Sequence, residues 1–411
     1  MRRAVVMLAL IALPGAHALA QSAPPGDEPD LRTRSRMSEF GPYRSRMRVL
    51  RDSADLATPA DPAALLESME GNDYGRALLL RRLAHDAVGA SDVDGAIAQL
   101  EEALALNALA GPAQQQMALN LARLYASAGR HEDTVALLKP MLDESPDIDP
   151  NARFAYGLAL VETGDPAEGA RQLRLAARTR DPVPEDWLRA LVFASYQSGD
   201  YAAAASDLER LVASYPGNRD YWLQLAGTLR AADRPLRAAA VLETAATRQL
   251  LTLPAHWLNL VNAYLAAGLP LDAAELLQGL LARETVEPTT EHWTLLGQAR
   301  LAARQPAEAI PPLVEAARTA RDRTAWLAVA RLQLAERQWD QAVASLERAR
   351  RGNRLGPRNG EALLMLGEAQ YRAGDTRQAR KAFALAAEEG VVYRAAQAWL
   401  DYLDGRAADG R

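Results

Sequence analysis

Five histidines carry every imidazole in this 411-residue chain: His17, His85, His131, His256 and His292. An imidazole can act as a base, or hold a metal with a partner one helical turn away. No HExxH or HxH spacing accompanies them here. His256 and His292 each precede a Trp (Trp257 and Trp293) in stretches that otherwise look alike, which reads as a habit of position rather than as a metal pair. The carboxylates lie on helical stretches close to arginines, as with Glu101 and Glu102, or Glu209 beside Arg210, a pattern of solvated faces. There is no GxSxG, no phosphate-binding loop and no dinucleotide fingerprint. The residues predict no enzyme, no catalytic or metal site and no cofactor.

Composition narrows the class further. The chain has no Cys, which removes disulfides, thiol nucleophiles and Cys-based zinc sites. It is 49% hydrophobic and 24% charged, a globular balance. Ala, Leu, Arg and Glu dominate, β-branched runs are scarce and only 6% of residues are aromatic, which predicts an all-α protein. The formal net charge of −5 lacks the basic excess of a nucleic-acid binder.

The elements that would position any site follow in order. Residues 1–20 read as a secretory signal peptide: Arg2 and Arg3, an apolar run from Ala4 to Leu13, then Ala18-Leu19-Ala20 as a small-x-small cleavage pattern. Cleavage after Ala20 predicts a periplasmic protein, and no later stretch is long and apolar enough to span a bilayer. Residues 21–60 read as a flexible arm with Arg32, Arg34, Arg36, Arg44, Arg46, Arg48 and Arg51. Such a run is either a solvated tail or a contact for acidic partners or head groups. Asp61-Pro62 is a helix start. From there to residue 404 the chain repeats, and 405–411 form a tail.

The repeat is clearest between Tyr221 and Leu281. Trp222, Leu225, Ala226, Leu229, Pro235, Ala238, Leu242 and Ala245 return 35 positions later as Trp257, Leu260, Val261, Tyr264, Pro270, Ala273, Leu277 and Leu280. Apolar residues recur at helical spacing, so each unit is two amphipathic helices. One small residue per unit marks a tight contact: Ala96, Thr134, Gly169, Ala204, Ala238, Ala273, Ala309, Ala342 and Ala379. Turns are marked at Gly129, Gly164, Gly199, Gly268 and Gly374. Pro146 and Pro216 stop helices. A last helix, Val391 to Leu403, gathers Trp399, Leu400 and Leu403 on one side and reads as a cap.

This pattern resembles the tetratricopeptide repeat. The resemblance implies a right-handed α-solenoid of about nine helix pairs, with positions 2, 5, 6, 9 and 12 of each first helix facing inward. Those positions supply Asn120, Arg123, Arg189, Gln224, Arg230, Asn259, Asn262, Gln298 and Arg331, beside Leu223, Leu258, Leu265, Leu327 and Leu334. Asn and Arg there would hold an extended peptide or a carboxylate by charge-assisted hydrogen bonds.

Residues 185–405 show a closer likeness. YWLQLAG (221–227), HWLNLVNAYLAAGLPLDAAELL (256–277), the Gln338-Trp339 opening and the Trp399-Leu400 ending are similar to periplasmic tetratricopeptide proteins that accompany TonB–ExbB–ExbD systems in Gram-negative bacteria. That likeness implies a non-enzymatic accessory of TonB-dependent uptake whose partners are TonB, ExbB/ExbD or a TonB-dependent receptor. The rival expectation is an adaptor for pilus, outer-membrane or cell-wall assembly.

Overall fold

The computed structural model describes residues 62–145, 148–320, 323–351 and 355–409. The signal peptide, the Arg-rich arm, Asp61 and Pro146 lie outside these residues. The chain divides into two compact units, residues 1–216 and 217–411.

The first unit opens with a short helix, α1 (Pro62–Glu67). Four antiparallel pairs follow: α2 (Asp73–Gly89) with α3 (Val93–Ala105), α4 (Gly111–Ser127) with α5 (His131–Glu144), α6 (Pro150–Glu162) with α7 (Pro166–Ala177), and α8 (Glu185–Gln197) with α9 (Tyr201–Ser214). The second unit holds five pairs: α10 (Arg219–Ala231) with α11 (Pro235–Thr247), α12 (Pro254–Ala266) with α13 (Pro270–Ala282), α14 (Thr290–Ala302) with α15 (Pro306–Thr319), α16 (Thr324–Ala335) with α17 (Trp339–Arg350), and α18 (Asn359–Arg372) with α19 (Thr376–Ala387). A final helix, α20 (Tyr393–Asp409), closes the second unit. Among the described residues there are no strands, and the nine pairs match the nine small residues read from the sequence. The architecture is an α-solenoid. No helix among the described residues is long and apolar enough to cross a membrane.

The pairs form because their turns are chemically alike. In all nine, one residue with positive φ stands five places before the small residue: Ser91, Gly129, Gly164, Gly199, Asp233, Gly268, Arg304, Arg337 and Gly374. The first helix must end there in a left-handed residue for its last carbonyls to find donors. They do: Arg130 N–H donates to Tyr125 O at 2.8 Å, Asp165 to Leu160 at 2.8 Å, Leu269 to Tyr264 at 2.9 Å and Asp375 to Gln370 at 2.9 Å. The second helix then starts on a cap. The side chains of Asp92, Asp165, Asp200 and Asp375 accept the backbone N–H of Gly95, Glu168, Ala203 and Gln378. Proline takes the first turn at Pro166, Pro235, Pro270 and Pro306, where its missing N–H costs nothing.

Packing within each pair rests on a small residue facing a large one. Ala96, Thr134, Ala204, Ala273, Ala309, Ala342 and Ala379 are fully buried, and Ala238 is nearly so. On the first helix, Gly157 meets Leu173 and Gly297 meets Leu313. Burying one such leucine contributes roughly 2–3 kcal/mol. The tryptophans pack as the repeat positions predict. Trp187, Trp222 and Trp326 are buried, and Trp187 stacks on Phe154 with ring centroids 4.4 Å apart. In the cap, Trp399 stacks on Phe383 at 5.1 Å, and Leu403 joins their cluster. The cap helix continues past Leu403, where the sequence reading ended it, to Asp409.

Candidate functional site

The nine polar residues predicted to face inward sit on first helices. Asn120, Arg123 and Arg189 belong to the first unit, on α4 and α8, and are half-buried. Asn120 Oδ1 accepts from Gln116 Nε2 at 3.3 Å. Arg123 stands 3.9 Å from Asp149, the residue that caps α6. The other six belong to the second unit. Gln224 is half-buried, and Arg230, Asn259, Asn262, Gln298 and Arg331 are exposed.

Within the second unit, one position repeats on successive first helices. It is the residue just after the buried Ala226, Val261, Gly297, Ala330 and Gly367: Gly227, Asn262, Gln298, Arg331 and Glu368. Three predicted residues therefore form a ladder, and Glu368 extends it. The Arg331 guanidinium donates to Glu361 of the next first helix. Glu361 also faces Arg358 at 3.9 Å. Sequence reasoning missed Glu361 and Glu368. The signal was present, because Glu368 follows Gly367 as Gln298 follows Gly297. Leu327 is a correction: it is 1% exposed and belongs to the core, so it lines no surface. Leu223, Leu258, Leu265 and Leu334 are half-buried.

Two tyrosines of first helices are held in structural hydrogen bonds. Tyr125 donates to Glu101 at 2.7 Å, and Tyr264 donates to Glu243 at 2.7 Å. Each bond ties a first helix to the second helix of the pair before it. Burial, then the bonded Glu101, pushes the Tyr125 phenol up to about 12. Burial and Glu243 likewise raise Tyr264. These phenols stay protonated and act as donors.

The paired histidines are structural too. Leu253 N–H donates to His256 Nδ1 at 3.2 Å at the start of α12. Burial lowers the His256 pKa, which favours the neutral ring that can accept this bond. His292 Nδ1 instead donates to Glu287 O at 2.6 Å. The two equivalent positions use Nδ1 in opposite roles, as acceptor in His256 and as donor in His292, each serving the start of its own helix.

A crevice of about 800 Å³ opens in the second unit around Trp293, Arg300, Pro311, Pro312 and Gln333. Its buried charge is engaged by the protein. Arg300 donates to Gln278 at 2.6 Å and Gln305 at 2.7 Å, and pairs with Glu308 at 2.9 Å. Arg300 is a clamp between α13, α14 and α15.

The family comparison agrees with this architecture. The tetratricopeptide repeat family model matches residues 81–149, 189–249, 258–324 and 327–395, more than half of the chain. No curated protein matches the sequence. Among solved structures, a tetratricopeptide repeat protein from Parabacteroides merdae is similar at 14% identity, covering 63% of this chain and 99% of its own, with a TM-score of 0.37. PilW, a type IV pilus biogenesis factor, is similar at 21% identity, covering 51% of this chain and 94% of its own, with a TM-score of 0.33. YrrB, described as having an unusual peptide-binding site, is similar at 16% identity, covering 47% of this chain and 97% of its own, also at 0.33. On its nine helix pairs and the family match, the chain belongs to the tetratricopeptide repeat family.

Proposed function

We propose that this protein is a non-enzymatic periplasmic scaffold, an accessory of a TonB-dependent uptake system that holds protein partners on its first-helix face. The ladder of Asn262, Gln298 and Arg331 carries the reading. Three successive pairs offer polar side chains where the repeat pattern needs none for packing. Such side chains can bond the backbone and carboxylates of an extended segment. The signal-like first twenty residues support the compartment. The motifs between residues 185 and 405 support the TonB connection.

The test is crosslinking in intact periplasm, followed by capture of the mature chain, residues 21–411. Recovery of TonB, ExbB, ExbD or a TonB-dependent receptor, weakened by Asn262→Ala with Gln298→Ala, supports the reading. Recovery of pilus, outer-membrane or cell-wall assembly proteins keeps the scaffold and rejects the TonB assignment.

A further inference from the structure

Residues 318–358 contain ten arginines against four carboxylates, Asp322, Glu336, Asp340 and Glu347. Two of the arginines are accounted for elsewhere: Arg331 lies on the ladder, and Arg337 lies in the turn between α16 and α17. Six described arginines remain: Arg318, Arg323, Arg348, Arg350, Arg351 and Arg358. All six stand where one pair ends and the next begins, at the ends of α15 and α17 and the starts of α16 and α18.

The structure holds these two connections side by side. Arg323 Nη1 donates to Arg348 O at 3.1 Å. The Arg348 guanidinium lies over the Trp326 ring, 5.0 Å from its centroid. Arg350 Nε donates to Asn359 Oδ1 at 3.4 Å. Among the described residues, the carboxylates that pair with the set are Glu315, 3.2 Å from Arg318, and Glu361, 3.9 Å from Arg358 and shared with Arg331. Burial lowers the Arg350 pKa against the opposing pull of Glu347. The preceding connection, between α13 and α14, has the opposite balance: Glu284, Glu287 and Glu291 against Arg283. The edge of the second unit changes sign along its length.

We propose that this arginine edge is a docking surface for an acidic protein segment. The inference rests on the scaffold reading above and names the chemistry of one partner. Planar guanidinium groups bind carboxylates in pairs of parallel hydrogen bonds. Arg348 is exposed and placed over the Trp326 ring, 5.0 Å from its centroid. A membrane surface fits less well. Basic membrane sites insert apolar side chains beside the charge, and among the described residues no large exposed apolar side chain lies between Leu301 and Leu385. The edge meets the ladder at Glu361, which pairs with both Arg358 and Arg331, whereas Asn262 and Gln298 lie on earlier first helices.

The test is fluorescence anisotropy of the full mature chain with a labelled Asp/Glu-rich peptide, from about 50 to about 300 mM salt, a range over which screening of exposed charges changes strongly. Arg318→Gln with Arg351→Gln should weaken binding roughly tenfold and flatten its salt dependence. Asn262→Ala should leave this binding unchanged. No binding at low salt overturns the proposal. So does binding that ignores the arginine variants and is lost with Asn262→Ala, although the scaffold reading would survive that result. Tighter, arginine-dependent binding to anionic phosphatidylglycerol vesicles than to the peptide also overturns it, in favour of a lipid surface. Failure of periplasmic crosslinking with this peptide binding intact would reject the TonB reading alone.

Discussion

A methyl group at Gly367 would fall 2.5 Å from Cε1 of Phe383 and 2.6 Å from its Cδ1. Gly367 lies on the first helix of the last pair, and Phe383 lies on the second. The ring is fully buried and is pressed from its other neighbour by Trp399 of the cap. The same spacing, sixteen residues from small to large, joins Gly297 to Leu313 and Gly157 to Leu173. At this position the array trades side-chain volume on one helix for volume on the next.

Gly367→Ala is therefore expected to destabilise the second unit by about 1–3 kcal/mol, the usual cost of overpacking. Urea melts would show a lower midpoint. Adding Phe383→Leu should recover part of the loss, because the clash is with the ring. An unchanged midpoint for the single variant would contradict the packing.

Ala273 has no exposed surface and lies in a cluster with Val261, Leu277 and Leu296. Ala273→Arg places an unpaired charge there. The expected loss is about 3 kcal/mol or more. Circular dichroism should show an earlier and broader thermal transition, since each pair depends on its neighbours.

Arg304 holds a φ of 57° at a turn that five other pairs give to glycine. A side chain in the left-handed region costs about 1 kcal/mol, offset in part by the looser unfolded chain of a glycine. Arg304→Gly should raise the melting midpoint by up to about 1 kcal/mol of stability. A decrease would mean that the Arg304 side chain contributes contacts larger than the strain.

Asp207 on α9 is 8% exposed. Burial raises its pKa, outweighing the opposing pull of Arg174 and Arg210. The folded state therefore binds this proton more tightly than the unfolded state does. This group's contribution grows less favourable as pH rises from the unfolded pKa through the folded one, and its penalty is complete above the latter. Asp207→Asn should melt at a higher temperature at neutral pH, and the gain should vanish in acid. A constant difference across the pH series would refute the assignment.

Asn262 is exposed on α12 and contributes nothing to the core. Asn262→Ala should leave the melt within about 0.5 kcal/mol of the parent while reducing partner capture. A changed melt with intact capture would remove Asn262 from the binding face.

The small residues and turns were legible because they are local signals. A tight helix contact needs a small side chain, and a left-handed cap favours glycine, so both recur at a fixed offset. Where the chain departs from that chemistry, as at Ser91, Asp233, Arg304 and Arg337, only the periodicity betrays the turn. Glu368 breaks the Asn, Gln and Arg pattern of the inward positions by placing a carboxylate there, so only its offset from Gly367 marks it.

The sequence by itself determined the helix pairs, their number, the small residues at their contacts and the closing cap. Apolar periodicity decides which side of a helix leaves water, and that is written within about twenty consecutive residues. Only the tertiary structure decided which polar groups meet. Arg331 finds Glu361 thirty residues on, Arg323 finds the carbonyl of Arg348, and the Nδ1 atoms of His256 and His292 take opposite hydrogen-bond roles at one repeat position. Leu327 was read as lining a face and lies in the core. These outcomes depend on how one pair is laid against the next, and a hydrogen bond reaches only about 3 Å. No pattern along the chain records distances between neighbouring turns that finely.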